Sequence, residues 1–251
     1  MTTNPTPWAE RASRQMPGLT NRQVADALAP AIGAPLPKSM IGPRWIGGLT
    51  ETEKMPGLSF SLPALITCLV GRVLASIKGT PCFSCYAKGG RFAMPMVVIA
   101  QARRLLALLL AIAVPSKGKA WVTDLAAFLS DRERRARKRY AHAPDVGKPR
   151  LDRMIAAYYR AAVAGARLNT GAKRIVKGGK VDGETEHSQA LAAAYAEATG
   201  AWDAALAADP DAGRAAQAFI AWYKAQHFRW HDSGDVLNLA HLELIAQVAA
   251  A

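Results

Sequence analysis

Cys68, Cys82 and Cys85 are the only cysteines in this 251-residue chain, and they fall within eighteen consecutive residues. The last two lie in the run Thr80-Pro81-Cys82-Phe83-Ser84-Cys85-Tyr86-Ala87. A Cys-x-x-Cys spacing folds into a tight turn and brings two thiolates to one ion or cluster. Cys68 then offers a third ligand. Three thiolates with no obvious fourth leave a coordination position open, which suits catalysis or substrate binding better than a closed structural zinc site. An iron–sulfur cluster or a zinc ion are the cofactors that such a set takes. The competing reading is that the three thiols are small buried hydrophobes with no shared chemistry. An odd number of cysteines, in a chain long enough to bury a core without staples, excludes a secreted disulfide scaffold and points to a reducing compartment.

A second group of reactive side chains lies in Phe228-Arg229-Trp230-His231-Asp232-Ser233-Gly234-Asp235. Alternating residues suit a strand, Asp232 to Asp235 supply turn chemistry, and a helical pattern begins near Asn238. In such a βα unit ligands gather at the strand's carboxyl end. His231, Asp232 and Asp235 would stand there as candidate catalytic groups, an imidazole titrating near neutrality beside two carboxylates. Ordinary loop hydrogen bonding explains the same residues equally well. Directly after the cysteine pair, Lys88-Gly89-Gly90-Arg91 sets two cations near backbone amides for an anionic ligand or cofactor, though a plain turn accounts for it too. His142, His187 and His241 stand alone and read as surface or helix-face residues; Trp222 and Trp230 read as core aromatics.

Charge suggests the partner. The chain carries 32 Lys and Arg against 19 Asp and Glu, a net charge of +13, which favours polyanions through phosphate attraction. The excess is concentrated in residues 132–180, with 15 basic against 3 acidic side chains, and reverses to 2 against 7 in residues 181–226. Within the basic part, Arg132-Glu133-Arg134-Arg135-Ala136-Arg137-Lys138-Arg139-Tyr140 packs cations into about two helical turns. Arg134, Arg135, Lys138 and Arg139 are the candidates for DNA or RNA backbone contact. A solvated helix face is the competing account. Phosphate-binding loops, dinucleotide glycine fingerprints, His-Glu-x-x-His and serine hydrolase elbows are all missing from the sequence.

The elements that must position these groups are mainly helical. Asn21 caps a helix with Val24, Leu28 and Ile32 at helical spacing, and Pro35, Pro37 and Pro43 break it. Ser59-Phe60-Ser61-Leu62 reads as a short strand ending at Pro63. A helix starting near Met96 has a buried apolar end, Leu105 to Val114, with Gln101, Arg103 and Arg104 on its wetter side. The ten-residue run before Pro115 is too short for a bilayer, which needs about 20 residues, so no membrane association is expected. Leu151, Met154, Ile155, Tyr158, Tyr159, Ala162 and Val163 follow helical spacing for three turns; Leu191 to Trp202 and Phe219 to Tyr223 repeat it. Asp209-Pro210 separates helices, and Ile175-Val176-Lys177-Gly178-Gly179-Lys180-Val181 reads as a glycine-centred hairpin. The first sixteen residues lack the apolar stretch of a secretory signal.

The stretch Lys54 to Ala64 followed by Cys68, the segment Cys82 to Phe92, and the run Phe228 to Asp235 together resemble the phage "gene product 88" family. The resemblance covers roughly residues 50 to 112 and 226 to 250. It implies a bacteriophage or prophage protein working in a bacterial cytoplasm, and it brings no activity with it. The Cys-x-x-Cys-Tyr-Ala block is also similar to the cluster segment of radical S-adenosylmethionine enzymes, whose three cysteines hold a [4Fe-4S] cluster. There, three residues separate the first two cysteines; here thirteen do, which argues against S-adenosylmethionine as cofactor. The expected fold is α/β and mainly helical, a partial barrel-like or open α/β core with a helical insertion. Residues 1–50 form an N-terminal extension, 51–115 the cysteine-containing part of the core, 116–225 the basic helical insertion and 226–251 a βα unit. The family pattern continues past the final Ala249-Ala250-Ala251, so the chain is expected to be shortened at that end and any barrel left open.

Overall fold

The computed structural model describes residues 21–31, 41–51, 56–64, 66–85, 87, 89–177, 186–230 and 239–251. The protein is mainly helical with a small mixed sheet, as the sequence leads one to expect. Eight α-helices lie among the described residues: α1 (Asn21–Leu28), α2 (Leu69–Leu74), α3 (Pro95–Ala113), α4 (Pro115–Ala141), α5 (Lys148–Lys177), α6 (Glu186–Ala208), α7 (Pro210–Ala225) and α8 (Leu239–Ala250). Three short strands, β1 (Thr50–Glu51), β2 (Leu58–Phe60) and β3 (Phe228–Trp230), form one sheet in that order. β1 is antiparallel to β2, and β3 is parallel to β2 with Leu58 opposite Phe228 and Phe60 opposite Trp230.

Two compact units share the chain. The first comprises Met1–Glu51, Leu58–Asp131 and Phe228–Ala251; the second comprises Thr52–Gly57 and Arg132–His227.

In the first unit, α3 is the central element. Its Leu105, Leu108 and Leu109 are fully buried together with Phe60, Trp121 and Leu125. Trp121 meets Phe60 edge-on at 5.5 Å and stacks on Trp230 at 6.0 Å, so β2, β3 and α4 share one aromatic cluster. By length and hydropathy α3 would suffice to cross a membrane. Its Leu105, Leu108, Leu109 and Ala111 belong to the core of the first unit. The helix does not present Gln101 and Arg104 to water, contrary to what their polarity suggests, since both are buried. Arg104 donates from Nε to the Gly48 carbonyl (2.8 Å), from a terminal nitrogen to the Ser61 carbonyl (3.2 Å), and from the other to Thr50 Oγ1 (2.6 Å). A guanidinium presents several donors in one plane, and here they tie α3 to both sides of the β1–β2 pair. The approach demands a glycine. At Gly47, with φ +87, a β-carbon would lie 2.5 Å from the Arg104 amide nitrogen. His241 is likewise fully buried on α8, not at the surface.

Pro115 does not end the helical region. It opens α4 at a position where its missing N–H costs nothing.

The second unit is a helical bundle of the end of α4 with α5, α6 and α7. Met154 of α5 packs against Ala212 and Ala216 of α7, with Trp202 and Leu206 of α6 against the same cluster. Small residues let the helices approach closely: a β-carbon on Gly213 would stand 2.6 Å from Leu206 Cδ2. Tyr140 stacks on Trp222 at 5.1 Å and meets Phe219 edge-on, fixing the end of α4 against α7. Helix α5 runs to Lys177, so Ile175, Val176 and Lys177 are helical instead of the first arm of a hairpin. The other residues of that expected hairpin, 178–181, lie outside the described residues.

Asp209 starts α7 by accepting from the Ala212 amide (3.1 Å) and from Arg150 Nε and a terminal nitrogen (2.9 and 2.6 Å). The Arg150 hydrogen bond, then the Ala212 amide, hold its carboxyl below the usual carboxylate range, and Arg150 is raised in turn. A depressed carboxyl contributes stability above its unfolded-state pKa that is lost as pH falls through the folded value. Asp209→Ala should therefore lower the thermal midpoint at neutral pH, and its deficit relative to the parent should shrink as the solution is acidified through the carboxylate range. A deficit that stays constant down to strongly acidic pH would show that the charge does not matter.

Candidate functional site

The cysteine segment is built on a short helix and a turn. Cys68 precedes the first residue of α2, and its carbonyl accepts from the Arg72 amide. After α2, Thr80 fastens the following turn: its hydroxyl donates to the Leu74 and Ile77 carbonyls (2.7 and 2.9 Å) and accepts from the Phe83 amide (3.2 Å). That fastening carries Cys82 back over α2. Gly71 shows where it arrives, because a β-carbon there would stand 3.5 Å from Cys82 Sγ and 3.9 Å from Cys68 Sγ. The two sulfurs thus lie within the sum of those distances of each other, over the bare face of one glycine. The Cys85 amide donates to the Cys82 carbonyl (3.4 Å), closing the turn. All three thiols are half-buried and none is disulfide-bonded.

Thirteen intervening residues therefore do not keep Cys68 and Cys82 apart. The full trio is another matter. Among the described residues there is no group of three or more His, Cys, Asp or Glu side chains placed to hold a metal ion, so Cys85 does not join the pair in a ready three-thiolate set. The same segment exposes Val70 (69%), Val73 and Phe83, an apolar surface beside the thiols.

His231, Asp232 and Asp235 lie outside the described residues, as does Lys88. Arg91 falls in a short helical turn, Gly90–Ala93, of which the backbone is described. The strand before His231 is present as β3, and α8 follows.

The cations predicted for nucleic-acid contact are all on α4 within the second unit. Arg134, Arg135, Lys138 and Arg139 are exposed, while Ala136 between them is buried. Glu133 accepts from Arg137 Nε and a terminal nitrogen (2.9 and 2.7 Å), four residues on. Lys138 and Arg139 also sit in the last turn of α4, where cations offset the carbonyl end of the helix.

A second cationic feature lies on α5. Arg153, Arg160 and Arg167 recur every seven residues along α5, and Arg174 continues the register within the same helix. The first three are exposed, and among the described residues none of them makes an ion pair. The spacing is visible in the sequence as an i, i+7 repeat. It places one arginine on nearly the same side of the helix every two turns.

No family model, no curated protein and no solved structure matches this chain.

Proposed function

We propose that the protein binds nucleic acid through its phosphate backbone, using the basic helices of the second unit. The observation that carries this reading is the exposure of all four cations, Arg134, Arg135, Lys138 and Arg139, on two turns of α4. Exposed cations at that density attract a polyanion by releasing its condensed counterions, with no need for a base-reading motif. The net charge of +13 acts in the same direction at longer range. Titration of a labelled oligonucleotide with the full chain, at several salt concentrations, tests the reading; absence of salt-dependent binding would overturn it.

A second reading is favoured by the approach of Cys68 and Cys82 over Gly71. Two thiolates facing the same glycine are the start of a zinc or iron site, completed by Cys85 or by a ligand from outside. Anaerobically purified protein should then contain zinc or iron near one equivalent, and Cys68→Ala and Cys82→Ala should each remove it. Metal-free protein with both thiols titratable, or metal content unchanged in those variants, would sink this reading. The two readings are compatible.

Kinship with phage gene product 88 proteins, and the bacterial cytoplasm as workplace, belong to the same proposal. So does the finer architecture, a helical insertion in an α/β core that is barrel-like or open. Its support is that β2 and β3 pair in parallel although the whole helical segment separates them in sequence.

A further inference from the structure

Beside the arginine row, the outward face of α5 carries flat and apolar side chains. Tyr159 is 42% exposed and Val163 is 49% exposed. On the helical wheel Val163 falls between the arginine row and Tyr159, at 100° per residue. Tyr159 is also near α7. Partial burial of its ring, with Tyr223 and Tyr158 beside it, raises its phenol, while Lys224 acts the other way. Tyr223 is itself partly exposed, at 36%.

Resting on the nucleic-acid reading above, we infer that this face takes single-stranded nucleic acid, its phosphates along Arg160 and Arg167 and its bases against Tyr159. Successive arginines of the row stand about 10.5 Å apart along the helix, from a rise of 1.5 Å over seven residues. That is a sparse cation track. It suits a flexible strand that adjusts its phosphates to the cations better than a duplex of fixed charge spacing. A duplex also hides the faces of its bases. An exposed tyrosine next to a guanidinium track gains from a nucleic acid only when bases are unstacked, and such stacking is tolerant of sequence. The α4 cations bind either form; the α5 face adds the discrimination.

The test uses the full-length protein and two labelled probes, a thymidine 30-mer and a blunt 30-base-pair duplex, in fluorescence anisotropy at fixed salt. The parent protein should bind the single strand at least about tenfold more tightly than the duplex. Tyr159→Ala should weaken single-strand binding about 5- to 100-fold, the range that loss of one or more base–aromatic stacks gives, and leave duplex binding near the parent value. Tyr159→Phe keeps the flat ring and should keep the affinity. Arg160→Glu with Arg167→Glu should weaken the single strand and reduce its salt slope. Circular dichroism melting of each variant separates loss of contact from loss of fold. Equal affinity for both probes, or a Tyr159→Ala variant that melts like the parent and binds the single strand as well, overturns the inference while leaving backbone binding in place. Failure of the parent protein to bind either probe overturns both.

Discussion

Reversing the charge of Arg134, Arg135, Lys138 and Arg139 to Glu is expected to lower affinity for a single-stranded oligonucleotide by about 100-fold or more at moderate salt. The magnitude follows from counterion release. Four phosphate contacts to a single strand contribute a slope of about −2.8 in log affinity against log salt, and removing them flattens the dependence by that amount. Reversal adds repulsion to the loss. All four side chains are exposed on α4, and Ala136, the buried residue on those turns, is left untouched. The matching Gln variant guards against a trivial explanation, because Glu in the last turn also opposes the helix dipole. It should lose most of the affinity while melting close to the parent. Undiminished binding by the Glu variant would remove α4 from the interface.

Arg104→Ala is expected to destabilise the first unit by about 2 to 5 kcal/mol, since each buried carbonyl left without a donor costs about 1 to 3 kcal/mol. The guanidinium is buried and donates to Gly48, Ser61 and Thr50. Its removal leaves two buried carbonyls short of a donor and a hole in the core beneath α3. Arg104→Lys keeps the charge but not the planar fork, so it should recover only part of the loss. Chemical denaturation followed by Trp fluorescence checks this, since Trp121 stands in the same core. An Ala variant with a parent-like midpoint would show that these hydrogen bonds do not hold the strands.

Arg104 also shows where sequence reasoning stops. Its polarity was legible, but its partners lie 43 to 56 residues away, and no local pattern announces that a charged side chain will turn inward. The same holds for His241. Local signals, by contrast, were readable: the spacing of Met154, Ile155 and Tyr158 locates α5, and alternation around Phe60 and Trp230 locates β2 and β3. The glycine pair at 178–179 suggested a hairpin beginning at Ile175. Residues 175–177 are helical instead, because extending a long helix costs little once it has formed. Pro115 lies just past the end of α3, as the apolar run before it implies, and also opens α4, because proline suits the first turn of a helix.

The candidate sites divide the same way. The exposure of the α4 cations follows from the helix pattern around Ala136. The arginine row on α5 is written in the sequence as a period of seven, which the net charge of a segment averages away. Cys68 and Cys82 both come to the bare face of Gly71, and the Thr80 hydroxyl fastens the turn between them, which no cysteine spacing reveals.

The most direct measurement is the salt dependence of oligonucleotide binding by the unmodified full-length chain, followed by anisotropy between about 50 and 200 mM salt. Attachment through the four α4 cations predicts a straight line in log affinity against log salt with a slope of about −2.8, steeper once the α5 row contributes. A slope near zero, or no binding at the lowest salt, would contradict it.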